Sequence, residues 1–253
     1  MFIKDERFYE ISSQFYPRVT WILDEGYPKG YGFQQWLGTK GTDEAERIKN
    51  EAGEAGSRIH DGIEQLLRGQ TLSCQGYSAV EWKKLCTFDT WLRDFQPDRI
   101  YAIERTLHSK DHRYAGTTDC ILLKDDEVYV VDWKSSKAIH NQYWLQVAAY
   151  AHAIEEMKLL SEWGADAKLV TRTAILRLGS KSKKGYEFIV HDADEIKEDF
   201  TDFLGCLRIF LREHDGYPKP THSELPDTIS VVDYFLEKDQ AEAAPETTQE
   251  ETK

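Results

Sequence analysis

Hydrophobic and polar positions change period several times along this chain, and each change predicts an element. From Thr42 to Leu67, charged residues alternate with Ala, Ile and Leu at helical spacing, which predicts one long helix with Asp43 as its candidate cap. Gly53 and Gly56 interrupt that helix and read as points of close packing. Ala79 to Phe95 predicts a second helix with Trp82 and Trp91 on its apolar face. Before them, Tyr16-Pro17 is an extended or turn segment, because proline restricts the residue that precedes it. Residues 1–98 therefore read as mostly helical.

The period then shortens. Arg99–Leu107, Cys120–Leu123 and Val128–Val131 are rich in β-branched, aromatic and aliphatic residues and predict strands. Lys124-Asp125-Asp126-Glu127 is the polar turn between the last two. Asn141 to Leu160 is apolar nearly all round, the pattern of a buried helix. Leu169–Arg177 and Tyr186–Val190 predict two more strands, joined by a Gly/Ser/Lys loop, and Asp192 to Arg212 a last amphipathic helix. No internal repeat is evident.

Both faces of the predicted hairpin are apolar. Ile121, Leu123, Val128 and Val130 share one side, and Cys120, Leu122, Tyr129, Val131 and Trp133 take the other. A sheet covered on both faces needs helices above and below. The expected fold is α/β, a central mixed sheet flanked by helices, with a helical N-terminal region and one domain over residues 1–236. Residues 237–253 are rich in Ala, Glu, Thr and Gln and read as a disordered acidic tail.

Composition changes this picture only at its margins. The 253 residues carry a net charge of −13, of which the tail supplies −4. An acidic body argues against a nonspecific nucleic-acid coat. It leaves room for a confined site in which metal ligands are themselves acidic. No apolar run approaches membrane length, and the charged start does not resemble a signal peptide, so the expectation is a cytoplasmic protein of a bacterial or phage-infected cell, with no membrane partner. Cys74, Cys86, Cys120 and Cys206 are scattered without a CxxC pair, which offers no iron–sulfur site.

The chemistry concentrates between Gly116 and Tyr150. If Asp125 and Asp126 form the hairpin tip, residues whose numbers add to 251 face each other, and Asp119 and Asp132 are such a pair. Cross-strand Cβ atoms then lie about 4.5–5.5 Å apart, close enough for two carboxylates to share a metal. Lys134 points to the same face as Asp132. Gln146 and Tyr150 follow one turn apart on one face of the next helix. Charges on a doubly covered sheet must be paired or metal-bound, and this set suits a divalent metal held beside a phosphodiester.

The order of these motifs resembles the PD-(D/E)XK nuclease superfamily in its RecB-like branch, and within it the mitochondrial genome maintenance exonuclease and related phage exonucleases. The similarity rests on Val131-Asp-Trp-Lys-Ser-Ser-Lys137, Trp144-Leu-Gln-Val-Ala-Ala-Tyr150, Tyr16-Pro-Arg-Val-Thr20 and Gly56-Ser-Arg-Ile-His60 with the residues that follow. It spans roughly residues 15–215. It implies a restriction-endonuclease-like fold, with Asp119 and Asp132 as metal ligands, the Trp133 carbonyl as a further ligand and Lys134 beside the attacking water. It also implies that His60 and Glu104 complete the metal shell, and that Gln146 and Tyr150 brace the lysine and the phosphate. The implied cofactor is Mg²⁺ or Mn²⁺, one ion or two. Glu64, one turn after His60, reads either as its orienting acceptor or as an ordinary exposed acid.

The expected function is a metal-dependent DNA exonuclease acting on single strands or ends in replication, recombination or repair. The chain carries no helicase motif, which suggests a stand-alone nuclease domain or one recruited by a strand-annealing or replication protein. The helical N-terminal region is the candidate for an archway that selects ends. The alternatives are a noncatalytic DNA-binding or assembly module of the same fold and a double-strand-specific recombination exonuclease. Lys181, Lys183 and Lys184 read as a solvated hairpin tip, with a phosphate grip as the other possibility. Trp36, Trp82 and Trp91 read as core residues before base-stacking ones.

Overall fold

The computed structural model describes residues 2–3, 5–165, 169–221 and 223–224. The chain divides into a large unit, Arg7–Lys219, and a terminal unit made of Met1–Glu6 with Pro220–Lys253. In the terminal unit, β1 (Phe2–Ile3) pairs antiparallel with Ser223–Glu224, and the Asp5 carboxylate accepts hydrogen bonds from the backbone and hydroxyl of Thr221. The acidic tail expected at 237–253 lies outside the described residues.

The large unit opens with an antiparallel hairpin, β2 (Phe8–Ile11) and β3 (Gln14–Pro17), which the helical reading of residues 1–98 missed. Four helices follow: α1 (Val19–Gly26), α2 (Tyr31–Lys40), α3 (Thr42–Leu67) and α4 (Ala79–Phe95). The ends of α3 and α4 coincide with those predicted. Asp43 is not the cap of α3. Gly41 occupies that position without a side-chain bond, and Asp43 sits inside the first turn, where its charge favours the helix dipole. Close packing of α3 is also not at Gly53, which faces open space, or at Gly56, where a Cβ would make only an ordinary 3.6 Å contact with Ser135. It is at Gly62, where a Cβ would come within 2.8 Å of Leu85 on α4. A capping box between Ser78 and Glu81 starts α4.

The core sheet then forms from β4 (Arg99–Ser109), β5 (Tyr114–Lys124) and β6 (Glu127–Lys134). The chain crosses through α5 (Asn141–Glu156) and the short α6 (Leu159–Glu162) to β7 (Arg172–Leu178), β8 (Tyr186–His191) and α7 (Ala193–Glu213). Strand order is β4-β5-β6-β7-β8, with β6 and β7 parallel and the other pairs antiparallel. The parallel step is what requires a helical crossover. The predicted helix over Asn141–Leu160 divides because Lys158 adopts φ +57°, which an α-helix cannot continue through.

The sheet separates two apolar cores, with the residue partition that alternation predicts. Ile121, Val128 and Val130 pack with α5, α1 and α7 on one face, with Leu123 at its margin. Cys120, Leu122, Val131 and Trp133 pack with α3 and α4 on the other, with Tyr129 at its margin. Trp91 and Trp82 belong to this second core, as expected. Trp36 belongs to neither; it lies on α2, a helix with no buried residue, against Phe33. None of the helices among the described residues is long and apolar enough to cross a membrane.

Candidate active site

The hairpin register places the first two acids. Lys124↔Glu127, Leu123↔Val128 and Cys120↔Val131 are paired, and Asp125 and Asp126 take φ of +51° and +61° at the tip. Two central residues at positive φ match the twist of the flanking strands, and aspartate tolerates that region better than most residues. One step beyond the last pair, Asp119 stands opposite Asp132. There the Asp119 carboxylate takes the place of a backbone acceptor: Trp133 N–H donates to its Oδ2 at 2.7 Å.

Glu104 arrives by a bulge. Between Ile100 and Ala102 the β4–β5 register shifts by one, so that Ile103↔Cys120 and Arg105↔Thr118 leave Glu104 facing Asp119. Glu104 itself holds φ +49°, a strained conformation for a non-glycine residue. His60 comes from α3. An ion pair from Arg58, two residues earlier, to the buried Glu81 on α4 (2.6 Å) fixes that turn of the helix. His60 Nδ1 lies 3.4 Å from Asp119 Oδ1. Single ligand atoms of His60, Glu104 and Asp119 all fall within 4.8 Å of one another.

Asp132 and Lys134 form the adjoining half of the site. Lys134 Nζ sits 2.7 Å from Asp132 Oδ2, donates to Gln146 Oε1 at 3.2 Å and lies 4.6 Å from the centre of the Tyr143 ring. Gln146 Nε2 donates to Asp132 Oδ1 at 3.1 Å and to the Tyr150 hydroxyl at 3.2 Å. One amide thus orients both members of the ion pair. Gly116 makes room for Tyr150, since a Cβ there would lie 2.4 Å from the ring. The glycine of Gly116-Thr-Thr-Asp119 is therefore a spacing requirement of the site.

Charges here are crowded and poorly hydrated. Burial and the Asp119 carboxylate push Glu104 up to about 7. Burial alone would lower His60, but attraction and hydrogen bonding to Asp119 outweigh it and raise the imidazole to about 9. Burial raises the Asp132 carboxyl against the pull of Lys134. The two neighbouring carboxylates keep Lys134 charged despite its burial.

The residues fit a divalent cation. One imidazole nitrogen and two carboxylates converge, and the buried Asp132 Oδ2 meets Lys134 by distance but lacks a directed hydrogen-bond donor. Such a set of N and O donors, with an under-satisfied carboxylate oxygen, suits a hard metal that retains waters.

All the expected side chains meet at this end of the sheet. Glu64 is not the partner of His60; its carboxylate is bound to Arg68. Sequence reasoning missed Tyr143, although its place one turn before Gln146 on α5 signalled the same face. It also missed Arg58 and Lys84, whose partners Glu81 and the Ser135 carbonyl are distant in sequence.

No curated protein matches this chain. The family model described as the PD-(D/E)XK nuclease superfamily matches residues 28–223, and that span contains α3, the bulged β4, the β5–β6 hairpin and α5 together with every candidate site residue described above. A match over well over half of the 253 residues, on a five-stranded mixed sheet with these acids and this lysine at one end, shows that the chain belongs to the PD-(D/E)XK nuclease superfamily.

Proposed function

We propose that the protein is a Mg²⁺- or Mn²⁺-dependent DNA exonuclease of the RecB-like branch that hydrolyses phosphodiester bonds on single strands or DNA ends. The observation that carries this reading is the convergence of His60, Glu104 and Asp119 within 4.8 Å, beside an Asp132–Lys134 pair bridged by Gln146. In this reading His60, Glu104, Asp119, Asp132 and the Trp133 carbonyl hold the metal. A bound metal lowers the pKa of water and offsets charge on the attacking and leaving oxygens of an in-line displacement.

The remaining work falls to the protein's own groups. Lys134, fixed by Asp132, Gln146 and the Tyr143 ring, presents a positive charge where the phosphate gains negative charge. Tyr150 stops Gln146 from rotating away, and Gly116 seats Tyr150. A histidine supplied by an upstream helix and a Gln/Tyr pair on the helix after the lysine support the RecB-like assignment. A single-stranded substrate is supported by α2, which has no buried residue and leaves Tyr31 and Phe33 exposed beside Trp36. Exposed aromatics suit unpaired bases.

The test incubates the protein with Mg²⁺ or Mn²⁺ and end-labelled linear single-stranded, duplex and circular single-stranded DNA, with Lys134→Ala as control. The expected result is metal-dependent loss of the linear single strand, absent in the variant. Rapid cutting of the circle sinks the preference for ends. Cleavage of duplex alone favours the recombination exonuclease, and DNA binding without cleavage of any form favours the noncatalytic module.

A further inference from the structure

A cleft of about 920 Å³ lies between the first turns of α4 and the loop that joins β7 to β8. Five lysines line it, Lys83, Lys84, Lys181, Lys183 and Lys184, and no acid does. That is a sharp local departure in a chain of net charge −13. Lys184 is committed to Asp94 at 3.0 Å, but Lys83, Lys181 and Lys183 have no ion-pair partner among the described residues.

The loop is held against α4, so its lysines do not belong to a free hairpin tip. Gly179 and Gly185 take φ of +83° and +81°. A Cβ at Gly179 would lie 3.3 Å from Lys84, and one at Gly185 would lie 3.2 Å from Thr87. The backbone N–H groups of Gly179 and Ser180 both donate to the Gly185 carbonyl, which closes the loop. The remaining lining is serine, threonine, glycine and small apolar side chains, with no aromatic ring. Such a surface offers cations and hydroxyls to phosphates but nothing for a base to stack on.

The cleft also connects with the site. Lys84 Nζ donates to the Ser135 carbonyl at 2.8 Å, and Ser135 directly follows Lys134. We propose that this cleft is a phosphate track that carries the backbone of the DNA strand to or from the Lys134 end of β6, without reading its bases. The proposal rests on the nuclease reading and assigns the substrate path to that site.

The test measures binding of a labelled oligothymidine of about 16 nucleotides, the upper range of single-strand site sizes. Ca²⁺ replaces Mg²⁺, and salt is varied. The variants are Lys83→Gln/Lys181→Gln/Lys183→Gln and a surface control on α7, Lys197→Gln/Arg208→Gln/Arg212→Gln. Losing three phosphate contacts should weaken binding at least about tenfold near 0.1 M salt and reduce the log–log salt slope by about 2. The control should stay within about twofold of wild type, because its charges lie off the track. In parallel, the wild type is assayed for cleavage with Mg²⁺. A wild type that cuts, with the cleft variant equal to it in affinity and salt slope, overturns the track alone. A wild type that neither binds nor cuts DNA overturns the nuclease reading and the track with it.

Discussion

The two faces of one strand, β6, divide the labour of this molecule. Asp132 and Lys134 point to the α5 face, where they meet Gln146, Tyr150 and the acids of the neighbouring strands. Trp133, between them in sequence, points the other way into a cluster of rings. Its centroid is 5.2 Å from Phe88 and 5.9 Å from Trp91, and Trp91 continues to Phe95 and Phe188. The first face brings charge together at the end of the sheet at a cost to stability, and the second surrounds Trp133 with aromatic rings. The teaching is that alternation lets adjacent residues serve opposite ends: the aromatic face fixes the backbone on which the acidic face depends.

If the division holds, variants on the two faces should fail in opposite ways. Asp119→Asn should lower the rate of DNA cleavage by about 10³-fold, the scale of losing a preorganised charge from a site of this kind. Asparagine retains an oxygen for Trp133 N–H and removes repulsion toward Glu104, which offsets part of the lost attraction to His60, so unfolding free energy should fall by only about 1–2 kcal/mol. Cleavage of labelled linear DNA and denaturant unfolding measure the two quantities. A variant that keeps wild-type rate would break the comparison outright.

Trp133→Ala should do the reverse. Truncating a ring packed against Phe88 and Trp91 should cost about 3–5 kcal/mol. Metal-dependent cleavage by the fraction that remains folded at low temperature should fall less than in Asp119→Asn. Equal stability of Trp133→Ala and wild type in urea would show that the aromatic face is not what supports the strand.

Gly116→Ala sharpens the contrast from the acidic side. The added methyl meets Tyr150 at 2.4 Å, so the ring must move, and with it the brace on Gln146. Disturbing a group that orients a metal-site side chain typically costs about 10–100-fold, smaller than loss of Asp119 itself. Cleavage rate is the readout, and Gly116→Ala/Tyr150→Phe should be no slower than Gly116→Ala, since the hydroxyl contact has already gone. A double variant ten times slower would separate Gly116 from the brace.

Much of this is legible in the sequence alone. The hairpin register follows from two short apolar runs and a four-residue polar turn, and both cores follow from alternation along β5 and β6. What was not legible depended on tertiary partners. Gly62 looks no different in sequence from Gly53 or Gly56 until Leu85 lies across it. The β2–β3 hairpin has no Asn-Gly or Asp-Gly signal; its turn is Ser12-Ser13, both at positive φ. Glu104 could be placed only by resemblance, because the bulge that turns it toward Asp119 depends on register with another strand. The lysines of the β7–β8 loop read as a solvated tip because nothing local shows that Gly179 and Gly185 bring them down onto α4.

The gentlest test separates the faces by protons. Metal competes with protons for His60, held at about 9, and for Glu104, held at about 7. Both are raised, so both are protonated in the metal-free protein below those values and must release a proton when metal binds. Affinity for Mn²⁺ should therefore rise with pH: about tenfold per unit between pH 7 and 9, where His60 alone gives up its proton, and more steeply below 7, where Glu104 joins it. Calorimetry in buffers of different ionisation enthalpy counts those protons. His60→Asn should flatten the dependence between 7 and 9 and leave the part below 7. Replacing Trp133 with phenylalanine should leave the proton count unchanged, because it keeps the backbone N–H on Asp119 and changes only a ring packed against Phe88 and Trp91. A pH-independent affinity, or a proton count that follows the Trp133 variant instead of the His60 one, would mean that metal, if it binds, does not bind at the His60–Glu104–Asp119 cluster.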